Sequence, residues 1–268
     1  MKLSSADILS RIEEALDAAA RVANAFVPGA VKAEKKPDFS LVTEADRAID
    51  QILKRVLPRA GEGWLSEESA DSPGRLSCEG VWVVDPLDGT QEFVSGIPEW
   101  CVSIGFTYRG KPYAGGILNP ATGELILGSS ESGVVYNGLP AQPTNRESMS
   151  GGVVLASRSE LRRKEWDRFA DRGFEIRPTG SVAYKLALVA AGKADATWTL
   201  TPKNEWDIAA GVALVEAGGG FTATTDGKSP SFNNKSPLLP GLVAGPASLL
   251  SEMETLLSLK LSAETAPA

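Results

Sequence analysis

The hydrophobic period of this 268-residue chain changes at Val81, and that change most constrains its fold. Upstream, Ile8, Leu9, Ile12, Leu16, Ala19, Val22, Ala23 and Phe26 recur mostly at spacings of three and four. This predicts an amphipathic helix, ended by Pro28 and Gly29. A second helix is expected from Thr43, with Ile49, Ile52, Leu53, Val56 and Leu57 as its apolar stripe and Pro58 as its stop. From Val81 the apolar runs are short and read as strands, at 81–84, 102–108, 113–118, 125–128 and 134–136. Turn residues separate the later strands: Arg109-Gly110-Lys111, Asn119-Pro120 and Glu131-Ser132-Gly133, with Asn137-Gly138 after the last. Such short connections imply an antiparallel meander.

The polar stretch 142–152 marks a subdomain boundary, giving an α+β unit over 1–150 and an α/β unit over 151–268. In the second unit strands are expected at 153–157, 194–200 and 243–244, and helices at 160–170, 181–191, 207–217 and 246–257. The small, polar tail at 261–268 is expected to fray.

Composition narrows the chemistry. The chain contains no histidine, which excludes Ser-His-Asp and Cys-His catalysis, His-ligated zinc and phosphohistidine chemistry. Any reaction must rest on carboxylates, hydroxyls, lysines or a bound metal. Lys plus Arg number 27 against 34 Asp plus Glu, a net charge of -7, and such a balance suits neither nucleic acid nor an anionic membrane. Two cysteines, Cys78 and Cys101, are too few for a structural zinc site and fit a reducing cytosol. Charges interrupt residues 1–20, so no signal peptide is expected, and no run approaches a membrane span. The expectation is a soluble, cytoplasmic protein.

The strongest local feature is Trp82-Val83-Val84-Asp85-Pro86-Leu87-Asp88-Gly89-Thr90. A buried strand that stops at Asp85 would deliver two acids, Asp85 and Asp88, placed to share hard cations. Gly89 permits close approach of a ligand to the backbone, and Thr90 could open a helix whose free amides face an anion. Other acids occur at Glu67-Glu68, at Asp46 (spaced from Thr43 as a capping box) and at Asp207, read as the first residue of its helix. Each has an ordinary explanation as a surface loop, a turn or a helix cap.

Together these blocks resemble the inositol monophosphatase family of magnesium-dependent, lithium-sensitive phosphatases, whose wider relatives include 3'-phosphoadenosine 5'-phosphate nucleotidases and fructose 1,6-bisphosphatases. The resemblance rests on Val42-Thr43 with Asp46, Glu67-Glu68, Asp85 to Thr90, Gly180-Ser181 opening a helix, and Trp206-Asp207 with Ala209-Ala210-Gly211. It implies a layered α-β-α-β-α sandwich and two or three Mg2+ ions per active site. The metal ligands would be Glu67, Asp85, Asp88, Asp207 and the Leu87 carbonyl. Glu67, Thr90 and Asp46 would orient the attacking water. Asp88, Gly89, Thr90, Gly180, Ser181, Lys185 and Glu205 would hold phosphate and substrate. The implied partner is a small phosphorylated metabolite, and family members are often homodimers.

The substrate is open at this level. Gln91-Glu92-Phe93, Lys185 and Glu205 look like the nucleotidase branch, in which Lys185 would reach a second phosphate. Inositol-specific members tend to carry an acid where this chain has Thr199-Leu200. The spacing from Gly180-Ser181 through Val189 to Gly192 resembles the monophosphatase branch instead. The readings are therefore a phosphomonoesterase for an inositol-phosphate-like metabolite, a 3'(2'),5'-bisphosphate nucleotidase, or a silent phospho-ligand-binding regulator on the same scaffold.

Overall fold

The computed structural model describes residues 4–37 and 40–261, and most of the tail expected to fray lies outside them. Helix α1 (Ser5–Ala23) starts at Ser4, whose hydroxyl accepts the Asp7 amide, and helix α2 (Glu44–Val56) starts in a capping box between Thr43 and Asp46. Two short strands, β1 (Ala33–Lys35) and β2 (Leu41–Thr43), pair between them. The strands β3 (Gly63–Ser66), β4 (Gly80–Asp88), β5 (Cys101–Tyr108), β6 (Lys111–Asn119), β7 (Glu124–Ser129), β8 (Gly133–Tyr136) and β9 (Leu139–Ala141) form a seven-stranded sheet in chain order. Helix α3 (Thr90–Val94) sits between β4 and β5.

The second half supplies β10 (Val153–Ala156), α4 (Arg158–Arg162), β11 (Glu175–Pro178), α5 (Val182–Ala190), β12 (Ala196–Thr199), β13 (Lys203–Asn204), α6 (Glu205–Ala217), β14 (Gly220–Thr224), β15 (Leu238–Leu239), β16 (Leu242–Pro246) and α7 (Leu250–Leu257). Its main sheet runs β11-β10-β12-β16-β14. The β10 pairings are parallel, whereas β16 runs antiparallel to both β12 and β14.

These pieces stack in five layers. Ile8, Ile12, Leu16, Ile49 and Leu53 of α1 and α2 bury against Trp82, Val84, Ile104 and Phe106 on one face of the large sheet. Helices α5 and α6 cover its other face and also touch the smaller sheet. Met253 and Leu257 of α7, together with Trp166 and Phe169, cover the far face of the smaller sheet, where they cluster with Trp198 of β12. The order is the expected α-β-α-β-α. Small residues set the central spacing: Gly105 pairs with Gly115 across β5 and β6, and a Cβ on Gly115 would lie 2.4 Å from the Ala210 carbonyl. The α6 backbone therefore lies directly on the sheet.

The meander from β4 to β8 is antiparallel as the spacing predicts, and β9 extends it as an unexpected strand paired antiparallel to β8. The sequence pattern does not reveal β3, which adds parallel to β4 and carries Glu67 just past its end. Several elements differ from expectation. β4 does not stop at Asp85; it continues through Asp88, with an irregularity in its pairing between the two acids. The helix expected over 160–170 is instead α4 and a separate 3-10 turn at Asp167–Phe169, because Trp166 turns inward to stack on Trp198 and Phe169 meets the same ring edge-on. The helix expected over 246–257 begins as a 3-10 turn at Ala247–Leu249 before α7. Strands β11 and β14 are likewise additions to the expected elements.

Candidate active site

The carboxyl ends of β3 and β4 and the amino end of α6 meet in a cleft of about 600 Å³. Parallel pairing of β3 with β4 sets Glu67 beside the strand end, where its amide donates to the Val84 carbonyl at 3.3 Å. Asp85 is buried, and its Oδ1 accepts the Leu87 amide at 3.0 Å. Asp207 comes from the first turn of α6. It is not the first capping residue, as the sequence suggested: Asn204 caps the helix, and Asp207 returns the bond by accepting the Asn204 amide at 3.0 Å.

Glu67, Asp85 and Asp207 each place an oxygen within 4.8 Å of the others. Burial, then the charges of Glu67, Asp88, Asp207 and Asp46, push the Asp85 carboxyl well above its ordinary range. Burial, then Asp88 and Glu67, pushes Asp207 up to about 8. Burial likewise raises Glu67, against the pull of Lys36. Like charges so close are costly in a protein interior unless a cation neutralises them. The donors are all oxygen, with neither imidazole nor a thiol among them, which fits a hard divalent cation such as Mg2+. The acidic cluster can therefore hold a metal.

Other expected residues fall around this group. Asp46 is buried; its Oδ2 accepts the Thr43 amide at 2.8 Å and the Thr43 hydroxyl at 2.5 Å. Burial is the main reason its carboxyl is raised. The Thr90 hydroxyl lies 3.0 Å from Asp46 Oδ1 and 3.2 Å from the Leu87 carbonyl, and its single proton serves one at a time. Gly89, with φ of +99°, sits before α3, where a Cβ would come within 2.9 Å of the Glu99 carbonyl. Asp88 lines the cleft but lies outside the three-carboxylate group. Its Oδ2 accepts the Ser181 hydroxyl at 2.7 Å and the Ala183 amide at 2.6 Å, tying β4 to the start of α5.

Gly180 and Ser181 also line the cleft, although the Gly180 amide is already engaged by Glu99 Oε2 at 2.7 Å. Lys185 is not a solvated helix-surface lysine: it is 3% exposed, and its Nζ donates to the Ser181 carbonyl at 2.9 Å. The expectation of substrate contact at Glu205 does not fit. Its carboxylate is fully buried away from the cleft lining and accepts the Asn233 and Asn234 amides at 2.7 and 2.8 Å. It fastens the 231–234 loop to α6.

Lys36 joins the site without a motif to announce it. Its ammonium bridges Glu67 at 2.6 Å and Glu68 at 2.5 Å, and the cluster of lysines between the first two helices is its only signal in the sequence. Lys203 and Arg162, also on the cleft lining, have no motif to mark them. Both cysteines are free, and Cys101 is buried beneath the cleft, 3.3 Å from the Ser181 hydroxyl.

Comparison with known proteins agrees with this geometry. The profile of the inositol monophosphatase family matches residues 6–258. An inositol monophosphatase of Mesembryanthemum crystallinum is 31% identical over 229 residues, covering 80% of this chain and 85% of that one. An inositol-1-monophosphatase of Mesorhizobium japonicum is 35% identical over 204 residues, covering 73% and 76%. The crystal structure of extragenic suppressor protein suhB from Bartonella henselae superposes with a TM-score of 0.81 at 29% identity, covering 94% of this chain and 98% of that one. No helix among the described residues is long and apolar enough to cross a membrane. Fold, carboxylate cluster and relatives converge: the chain is a phosphomonoester hydrolase belonging to the inositol monophosphatase family.

Proposed function

We propose that this enzyme hydrolyses a small phosphorylated metabolite, such as an inositol monophosphate, by in-line attack of water with Mg2+ held by the acidic cluster. The observation that carries the reading is the convergence of Glu67, Asp85 and Asp207 from three separate elements beside Thr90. Two or three ions are expected, with the Leu87 carbonyl and Asp88 as further ligands. When bound, magnesium supplies positive charge to the phosphoryl oxygens and acidifies water.

The chain's own residues do the rest. When the Thr90 hydroxyl donates to Asp46, its oxygen is left as an acceptor for a water proton, so Asp46 and Thr90 act as a pair that orients the nucleophile. Glu67 accepts from the same water. The Thr90 and Gln91 amides, without intrahelical acceptors at the start of α3, are donors for phosphate oxygens. A covalent phosphoenzyme is not invoked, because there is no histidine and the acids are committed to metal. The same reading expects inhibition by lithium, a cytoplasmic location and a homodimer, with neither nucleic acid nor membrane as partner.

The test is phosphate release from inositol 1-phosphate, histidinol phosphate, fructose 1,6-bisphosphate and 3'-phosphoadenosine 5'-phosphate, with magnesium and with chelator. Magnesium-dependent release from at least one ester is expected. Folded, magnesium-loaded protein that releases phosphate from none of them refutes the proposal.

A further inference from the structure

Glu67 owes its place to the residues on either side of it. By strand alternation Ser66 shares the β3 face of Trp64, which packs with α1 and α2. The Ser66 hydroxyl donates to Asp50 Oδ1 at 2.6 Å, and the Ser69 hydroxyl donates to Asp50 Oδ2. Ser66 also accepts the Glu68 amide at 3.4 Å. The turn that carries Glu67 and Glu68 is thus pinned at both ends by one carboxylate of α2. Asp50 is 6% exposed and forms no ion pair with the described residues. A buried carboxylate without a cation is costly, and tying two hydroxyls into a core does not by itself require a charge. What the charge adds is stiffness, because hydrogen bonds to an ionised acceptor are shorter and about twice as strong as neutral ones. Asp50 lies one turn after Asp46 on the same face of α2, and Asp46 accepts the Thr90 hydroxyl at 3.0 Å. Ile49 and Leu53, both fully buried, seat that helix. Glu67 and Thr90, the two groups assigned to the attacking water, are therefore located by a single helix.

We propose that Asp50 is a positioning residue for the metal centre: through Ser66 and Ser69 it presets the Glu67 carboxylate, so that the three acids converge before a cation arrives. This role deepens, and rests on, the reading of Glu67, Asp85 and Asp207 as magnesium ligands. Repulsion among those acids favours swinging the Glu67 turn away from Asp85 and Asp207, and the two serine pins resist it. The other ties on Glu67 are its amide bond to the Val84 carbonyl and the Lys36 ammonium on its carboxylate. Without the pins, ordering the turn becomes part of the cost of binding the metal.

The test is the affinity of the full chain for magnesium alone, by isothermal titration calorimetry, beside thermal unfolding in EDTA. Asp50→Ala and Ser69→Ala should each weaken binding about tenfold, the scale of one hydrogen bond to a charged group. Turnover should fall at low magnesium and recover at high magnesium, with the KM for the ester at saturating magnesium unchanged. Ser69→Thr keeps the hydroxyl and should bind as wild type does. The double variant should bind no more weakly than Asp50→Ala, because that change already removes both pins. A purely structural role would instead lower the melting temperature in EDTA and leave the magnesium affinity of the folded protein unchanged, and that result overturns the assignment. So does Ser69→Thr binding as weakly as Ser69→Ala. Ser69 is only half-buried, so its variants decide the matter even where Asp50→Ala fails to fold. Wild-type protein that binds no magnesium overturns the reading of the acidic cluster and the positioning role with it. Magnesium-binding wild type with unaltered variants overturns the positioning role alone.

Discussion

Replacing Asp207 by Asn should act in opposite directions with and without metal. Asn keeps the shape and an oxygen to accept the Asn204 amide, so the cap of α6 survives. What disappears is a carboxyl raised from its ordinary 3.8 to about 8 by burial and by Asp88 and Glu67. Because the folded value lies above the unfolded one, the folded chain holds this proton more tightly. The metal-free fold therefore loses stability as pH rises from about 4 through 8. A tenfold difference in proton affinity between folded and unfolded chain is worth about 1.4 kcal/mol. The Asp207 side chain is only half-buried, so solvent screening reduces the full linkage to about 2 kcal/mol at pH 9. For a chain of this size that corresponds to a melting-temperature gain of about 4–8 °C for the variant. The assay is thermal unfolding followed by circular dichroism in EDTA at pH 5, 7 and 9, repeated in millimolar magnesium. In EDTA the variant should draw level with wild type at pH 5 and exceed it at pH 9. In magnesium wild type should gain stability that the variant lacks, about 2.7 kcal/mol at a hundredfold excess over the dissociation constant. Parallel pH curves in EDTA, or equal stabilisation of both proteins by magnesium, would refute the reasoning.

Three further outcomes are expected. Chelation should abolish phosphate release and readdition of magnesium should restore it; full turnover after verified metal removal would count against the acidic cluster as its site. Asp88→Asn should lower kcat by orders of magnitude with the fold intact by circular dichroism, whereas near-normal turnover and magnesium response would leave Asp88 only its bonds to Ser181 and Ala183. Gly115→Ala, whose Cβ would meet the Ala210 carbonyl, should cost about 1–3 kcal/mol in urea unfolding, and an unchanged midpoint would mean that α6 is free to move away.

Much of this site is legible in the sequence because its residues obey local rules as well as serving the site. Asp46 can be picked out because Thr43 and Asp46 form a capping box, and Asp85 because an apolar strand points to it. Asp207 is identifiable although its position in the cap is not: the signal for a helix start is strong, but Asn204 and Asp207 divide its two roles. Local rules do not reach partners distant in sequence. Glu205 reads as a substrate contact because nothing nearby announces the loop at 231–234 that consumes its carboxylate. Lys185 reads as a substrate contact, but its burial is not legible, because a nine-residue helix apolar nearly all round gives no periodicity to show which side chains are buried. β3 escapes detection because four residues, Gly63–Ser66, carry too little pattern to separate a strand from a loop.

Helix α6 is buried along an unbroken run from Ile208 to Val215, pressed between both main sheets. Its place in the chain fixes the order in which the protein can be made. A ribosome completes all seven strands of the large sheet before α6 emerges, and then still has β14 and β16 to add. Through that interval Glu67 and Asp85 exist without Asp207, and the face of the sheet at Gly105 and Gly115 stands uncovered. The catalytic centre thus closes only once α6 has emerged, and metal can reward folding only from that point on.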